Sequence, residues 1–305
     1  MMNNRPFPAL CAIAVSVAVF LGGCGRATPG APLTPGDPGS AQPSTMSESP
    51  AGSEAGAALL LAVYYLGEER FWREAGGQPV DRIRLYREFH RLPAGDGGPQ
   101  AKTTAAVAAM LDQASALDPD YSTGWPSSAR VRQVRVDGDT VTVDLSGATT
   151  NSVGAEAAEQ AVQQLIWTAT AASGKSGVRL LLDGESVSEL WGHVAVGGVL
   201  RRAPALNTLA HVWLIDPQHG ATVPRTFTIH VSGAVFESTI QLRVRQGDQT
   251  VNKRFVTVAG STAGHFGEAK TTLTLSPGSY VVEAYSESAV DGRPTFVDNH
   301  TITVE

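Results

Sequence analysis

Apolar positions along this chain change their spacing several times, and each change marks an element. Ala58 to Leu66 is an unbroken apolar run of strand length, the pattern of a strand covered on both faces. Ile83, Leu85 and Phe89 then alternate with Arg84, Tyr86 and Glu88, which predicts a half-buried strand. Pro99 opens a helix whose Val107, Met110, Leu111 and Ala114 fall at i, i+3, i+4 and i+7. After a Pro/Gly/Ser-rich loop through Trp125-Pro126, two strands meet at Asp137-Gly138, a strong short-range hairpin signal. Val141, Val143 and Leu145 point one way there, and Thr140, Thr142 and Asp144 the other. A second helix from about Ser152 carries the apolar stripe Val162, Leu165, Ile166 and Ala169, and Val178 to Leu182 is a last strand. The order β-β-α-β-β-α-β predicts an N-terminal α/β layer domain, with two helices packed on one mixed sheet.

From His211 onward the helical period is lost. Short strands recur instead between turn residues, carried by Val212 to Ile215, by Phe227, Ile229 and Val231, and by Ile240, Leu242 and Val244. Val256 with Val258, Leu273 with Leu275, Tyr280 with Val282 and Ile302 with Val304 continue the series. About seven strands of this kind predict an all-β immunoglobulin-like sandwich, so the overall class is α+β. The stretch between the two patterns, Ser186 to Leu209, contains Leu190-Trp191 and an apolar run from Val194 to Leu200, and is expected to dock rather than hang free.

The N-terminus follows another logic. Arg5 precedes an apolar run from Ala9 to Leu21, too short for a bilayer-spanning helix and right for a signal peptide core. It ends in Leu21-Gly22-Gly23-Cys24, which resembles the bacterial lipoprotein processing box, in which cleavage before the Cys leaves a thiol that is acylated. Cys11 lies inside the discarded segment, and the chain has only these two cysteines, so no thiol remains for catalysis or cross-linking. From Gly25 to Ala57 the composition turns to Pro, Gly, Ser, Thr and Ala, a tether with a reach of roughly 30 Å. The expected organisation is a signal peptide (1–23), a lipidated Cys24 with its tether (24–57), a first domain (58–187), a connector (188–209) and a second domain (210–305).

Tyr64-Tyr65-Leu66, Val136-Asp137-Gly138 with Val141 to Ser146, Ile166-Trp167-Thr168 and Leu182-Asp183-Gly184 resemble the GerMN domain named from spore-germination and sporulation proteins. Against that pattern, Gly67 to Asp81 reads as a long charged insert. Asp216-Pro217 with Gly220 and Val223, Val231 to Ala234 with Phe236-Glu237, and Gly264-His265-Phe266 resemble Gmad2, the immunoglobulin-like module that accompanies GerMN. The resemblance implies an envelope role through assembly and no catalytic residue set.

Little chemistry is declared by motif. Gly174-Lys175-Ser176 lacks the first Gly of a phosphate-binding loop and follows a helix, so a helix-ending turn is expected. Gly260 to Gly264 places Thr262 where a nucleophile elbow needs Ser. The seven His residues form no i, i+3 or i, i+4 pair, and convergence of His211, His219 and His230 in the sandwich is disfavoured against solvated roles. Glu156 and Glu159 are read as first-turn carboxylates favoured by the helix dipole. No catalytic residue, metal or cofactor is therefore expected.

Charge narrows the partners. Lys and Arg number 23 against 29 Asp and Glu, a net −6 that argues against nucleic acid. Arg82 and Arg84 share one strand face and Arg130 and Arg132 another; merged, they form a basic patch for an anionic wall polymer, and otherwise a solvated edge beside Glu68, Glu69 and Asp81. Trp167 falls on the helix side occupied by Gln160, Gln163 and Gln164. It either packs under the connector around Leu190 and Trp191 or anchors a protein partner or second copy. The expected protein is a lipid-anchored, non-catalytic binding or assembly module of the cell envelope; the rival is a cell-wall polymer hydrolase or modifying enzyme.

Overall fold

In the computed structural model, which describes residues 58–258 and 265–305, the first strand β1 (Ala58–Trp72) is buried on both faces through its centre, from Val63 to Gly67, while Leu60 within the apolar run is exposed. It pairs antiparallel with β2 (Pro79–Pro93) over the full length of both, from Ala58 opposite Pro93 to Trp72 opposite Pro79. Leu61, Val63 and Tyr65 turn into a core shared with helices α1 (Pro99–Leu111) and α2 (Ala155–Ser173), while Tyr64 and Leu66 turn the other way into a second cluster. The segment Gly67 to Asp81 is not an insert between strands: most of it continues β1 and β2, and the turn occupies only residues 73–78. Nor is β2 half-buried, because Arg84, Tyr86, Glu88 and His90 are all buried along with Leu85.

The remaining strands of this domain, β3 (Arg130–Asp137), β4 (Thr140–Ser146), β5 (Gly177–Leu182) and the two-residue β6 (Glu185–Ser186), form a sheet in that order. β4 and β5 are parallel with α2 as their crossover, and the other pairs are antiparallel, so the sheet is mixed. The expected single sheet is instead two ladders that share the helices: α1 contacts β1 and β3, and α2 contacts β1 and β5. The free edge of β1 shows why no strand joins it. Gln164 Nε2 donates to the Tyr64 carbonyl at 3.0 Å, the Tyr64 amide donates to Thr168 Oγ1 at 3.1 Å, and Leu66 exchanges backbone hydrogen bonds of 2.8 Å with Ser122. The polar face of α2 thus closes a strand edge that would otherwise invite pairing. Pro99 lies at the start of α1, and Gly174 caps α2 at φ 70°, so Gly174 to Ser176 is the helix-ending turn that the sequence predicts.

The connector docks on the first core through β7 (Glu189–Leu190), β8 (Val194–Ala195) and the buried Leu190 and Val196, with Trp191 edge-on to Trp125 at 5.2 Å. A short helix, α3 (Ala205–Thr208), leads to β9 (Val212–Asp216), β10 (Thr222–Val223), β11 (Thr226–Gly233) and β12 (Thr239–Gln246). β13 (Gln249–Thr257), β14 (Gly267–Thr274), β15 (Gly278–Glu287) and β16 (Pro294–Val304) complete the chain. Two sheets, β10-β16-β15-β12-β13 and β14-β11-β9, enclose Leu214, Ile229, Ile240, Leu242, Val282 and Ile302. This is the all-β sandwich that period-2 alternation predicts. The signal peptide, Cys24, the tether and Gly260 to Gly264 lie outside the described residues. No helix of the described residues is long and apolar enough to cross a membrane.

Candidate functional site

Residues with chemical potential gather where the two domains meet. The apolar part of that junction joins Tyr64, Leu66, Leu85 and Trp167 of the first domain to Leu209, Ala210, Trp213 and Ile215. Trp167 is only 8% exposed, lies 5.5 Å from the Tyr64 ring and carries the Arg202 guanidinium 4.2 Å above it. It therefore offers no surface to a partner, and its neighbours are the β1 face and the chain around residues 202–213 rather than Leu190 and Trp191. A helical wheel places it correctly among Gln160, Gln163 and Gln164, but that whole side of α2 is used inside the molecule.

The far end of the β1–β2 hairpin grips the sandwich. Trp72 Nε1 donates to the Pro294 carbonyl at 2.9 Å, and the Arg293 guanidinium lies 3.6 Å over the Trp72 ring. Thr295 Oγ1 donates to the Arg70 carbonyl at 3.2 Å, and Phe71 packs against Phe296 at 6.3 Å between ring centres. Between tip and base sits Glu69, 1% exposed. Its carboxylate accepts the His211 amide at 2.5 Å, faces His211 Nδ1 at 2.8 Å, and stands 3.6 Å from Arg84 Nε.

A second buried polar group joins a loop of the first domain to the sandwich. Glu88 accepts the amides of Leu117 and Asp118 at 3.0 and 2.8 Å and meets His90 Nε2 at 2.8 Å, which fixes the loop after α1. That loop delivers Asp118 (2% exposed) to Asp298 (4%) and His300 (2%) of β16. Tyr121 donates to Asp298 Oδ1 at 2.8 Å and the Leu214 amide to Asp298 Oδ2 at 2.6 Å; His219 Nδ1 lies 3.2 Å from Asp118 Oδ2. Burial pushes the Asp118 carboxyl up from the usual carboxylate range. Burial, reinforced by the neighbouring Asp298 charge, holds the Tyr121 phenol well above its ordinary value, so it stays a donor. Beside this group a cleft of about 590 Å³ opens between the domains, lined by Glu68, Arg70, Asp81 and Asp120 on one side and Pro294, Val297 and Asn299 on the other.

The four arginines do not merge, because β2 and β3 belong to different sheets. Arg84 is buried and donates to the Asn207 carbonyl at 2.9 Å, while Arg82 lies 4.6 Å over the Phe71 ring. Arg130 donates to the Ser127 and Ala129 carbonyls, and Arg132 reaches Asp144 at 3.3 Å. The three sandwich histidines also stay apart: His211 pairs with Glu69, His219 with Asp118, and His230 with Glu268 at 2.9 Å. Glu156 occupies the first turn of α2 as expected.

Sequence reasoning missed Glu69, Glu88, Asp118, Asp298 and His300. A signal existed for two of them, since Asp298 and His300 alternate in phase with Ile302 and Val304 and so belong to the buried face of β16. For Asp118, in a loop, periodicity offers nothing.

Comparison with known families follows this architecture. Residues 62–188 match the Germane model, described as sporulation and spore germination, and residues 211–293 match Gmad2, the immunoglobulin-like domain of bacterial spore germination. The chain carries a Germane domain followed by a Gmad2 domain. The junction residues Glu69 and Asp118 thus lie in the Germane domain, and His211 and His219 in Gmad2. No curated protein sequence matches the chain. Among solved structures, a candidate lipoprotein from Clostridium perfringens shares 16% identity over 53% of this chain and 98% of its own, with a TM-score of 0.33. The tandem GerMN domains of the sporulation protein GerM from Bacillus subtilis share 16% identity over 51% of this chain and 50% of theirs, with a TM-score of 0.34. Fibronectin(III)-like modules of Clostridium thermocellum CbhA share 19% identity over 30% of this chain and 93% of theirs, with a TM-score of 0.21.

Proposed function

We propose that the protein is an extracytoplasmic lipoprotein, anchored through Cys24, whose Germane–Gmad2 body works as a non-catalytic binding or assembly module of the cell envelope. The observation that carries this reading is the junction. Carboxylates and imidazoles are the groups a wall hydrolase would need, and here several of the buried ones bridge one domain to the other: Glu69 with His211, Asp118 with His219, and Asp298 with Tyr121. A body stiffened in this way, carried on a Pro/Gly/Ser tether, suits a scaffold presented at a distance from a membrane. The partner is an envelope protein, a wall polymer or a second copy, and the acidic balance disfavours nucleic acid.

Two measurements test the reading. Cys24→Ala should move the protein from the membrane fraction to the soluble extracytoplasmic one, and unchanged membrane retention would remove the anchor. Purified protein incubated with isolated cell-wall polymer should release no soluble fragments; steady release, abolished by Asp118→Asn or Glu69→Gln, would establish the hydrolase instead.

A further inference from the structure

His300 Nδ1 lies 2.7 Å from the Pro217 carbonyl, a distance at which that nitrogen must carry a proton and donate it. In the neutral ring the opposite nitrogen, Nε2, is then bare. It points at two carboxylate oxygens, Asp118 Oδ2 at 3.7 Å and Asp298 Oδ2 at 4.0 Å, all three side chains being at most 4% exposed. The Leu214 amide at 2.6 Å on Asp298 Oδ2 and His219 Nδ1 at 3.2 Å from Asp118 Oδ2 offset part of this charge, and the remaining repulsion out of water calls for a positive species between the three atoms, a proton on Nε2 or a metal ion. Their ligand atoms lie within 4.8 Å of one another, and among the described residues Nε2 faces the two carboxylates at ion-pair rather than hydrogen-bond distance.

We propose that Asp118, Asp298 and His300 form a binding site for one divalent first-row transition cation of the zinc class, and that the ion clamps the Germane domain to the Gmad2 domain. The donor set selects the metal. Imidazole nitrogen with two carboxylates suits zinc or manganese, whereas calcium and magnesium call for an all-oxygen shell. Size agrees as well. Bonds of about 2.0–2.1 Å in tetrahedral geometry place ligand atoms roughly 3.3 Å apart, so the 3.7 and 4.0 Å separations from His300 need closing by roughly half an ångström, and the carboxylate pair, within 4.8 Å, by at most about 1.5 Å.

The surroundings are those of a prepared site. Metal-bound imidazoles commonly donate their second N–H to a carbonyl, as His300 does to Pro217. Each carboxylate is also oriented from outside: Asp118 Oδ1 by the Asp120 amide at 2.8 Å, and Asp298 Oδ1 by Tyr121. His219, 3.2 Å from Asp118 Oδ2, is the outer partner of that ligand. Asp118 comes from the Germane domain, whereas Asp298 and His300 belong to the last strand of the sandwich, so neither half holds the full ligand set. The proposal adds a cation to the junction on which the scaffold reading rests, and it stands or falls by metal content, independently of membrane anchoring or partner capture.

The test uses the full chain extracted in detergent, stripped with a chelator and dialysed against Zn²⁺. Elemental analysis should give one zinc per chain, and about a hundredfold excess of Zn²⁺ over its Kd should raise the melting temperature by roughly 5–10 °C. Ca²⁺ and Mg²⁺ at the same concentration should do neither. His300→Gln should abolish uptake, and the conservative Tyr121→Phe should weaken it by roughly 10–100-fold. If the His300 variant does not fold, zinc-edge X-ray absorption of the unmutated chain still decides, because one nitrogen and two carboxylate ligands at about 2.0–2.2 Å are required. A chain that takes up no zinc or manganese, a His300 variant that binds as well as the parent, or an absorption spectrum dominated by several imidazoles would each overturn the site.

Discussion

Replacing Glu69 by Ala tests whether the junction is held by its buried charge. The carboxylate is 1% exposed, takes the His211 amide at 2.5 Å and its imidazole at 2.8 Å, and is the counter-ion 3.6 Å from the buried Arg84. Each hydrogen bond to a charged acceptor contributes about 1.5–3 kcal/mol, and leaving a buried cation without its partner costs about 3–5 kcal/mol in all, so Glu69→Ala should cost about 3–5 kcal/mol. Against a total stability of about 5–15 kcal/mol, that is a large fraction. For a body of this size it corresponds to a fall in melting temperature on the order of 10 °C. Urea denaturation of Glu69→Ala, Arg84→Met and the double variant gives the coupling directly. The double variant should recover much of the loss, because it removes the stranded guanidinium as well. A loss below about 1 kcal/mol in Glu69→Ala, the range of exposed pairs, would mean that the buried charge does not hold the junction.

Trp167→Ala should cost about 3–5 kcal/mol in thermal or chemical unfolding, as expected for an aromatic packed between Tyr64 and Arg202; unchanged stability would return this residue to the list of partner anchors. The Arg70 and Arg293 guanidiniums hold Asp81 and Asp291 below the usual carboxylate range. Each therefore contributes stability that is fully present above the ordinary carboxylate pKa of about 4 and is lost as pH falls through the depressed value. Asp291→Asn should flatten the acid limb of the urea midpoint against pH below about 4, and an unaltered limb would count against the pair. Residues 205–305 expressed alone should unfold cooperatively but at a lower temperature than the full chain, since Leu209, Trp213 and Ile215 lose their cover; equal melting temperatures would mean that the junction adds no stability.

Periodicity carried most of the architecture. The stripe of Val162, Leu165 and Ile166 is buried in α2, and Phe227, Ile229 and Val231 lie in β11 as alternation requires. Three readings failed for one physical reason, which is that burial against a distant part of the chain leaves no local trace. Arg84 and Glu88 look solvent-facing by alternation, but β2 is covered on both sides; Glu69 looks like part of a charged insert; and the glutamines of α2 look like a wet face. The candidate metal site was less legible still, since Asp118 and Asp298 are far apart in sequence and only the in-phase placement of Asp298 and His300 on β16 hints at it.

The long hairpin also sets how the body bears load. The chain enters it at Ala58, at the open end of the ladder, while Trp72 at the other end is fastened to Pro294 and Arg293. Fifteen residues of strand span roughly 50 Å. A pull between the N-terminal approach and anything attached to the Gmad2 domain therefore runs lengthwise down β1. Lengthwise traction strains the rungs to β2 together, whereas prying the open end apart breaks them one after another. The hairpin is then a tension member, and its resistance to rupture depends on the direction of the force more than on the equilibrium stability of either domain.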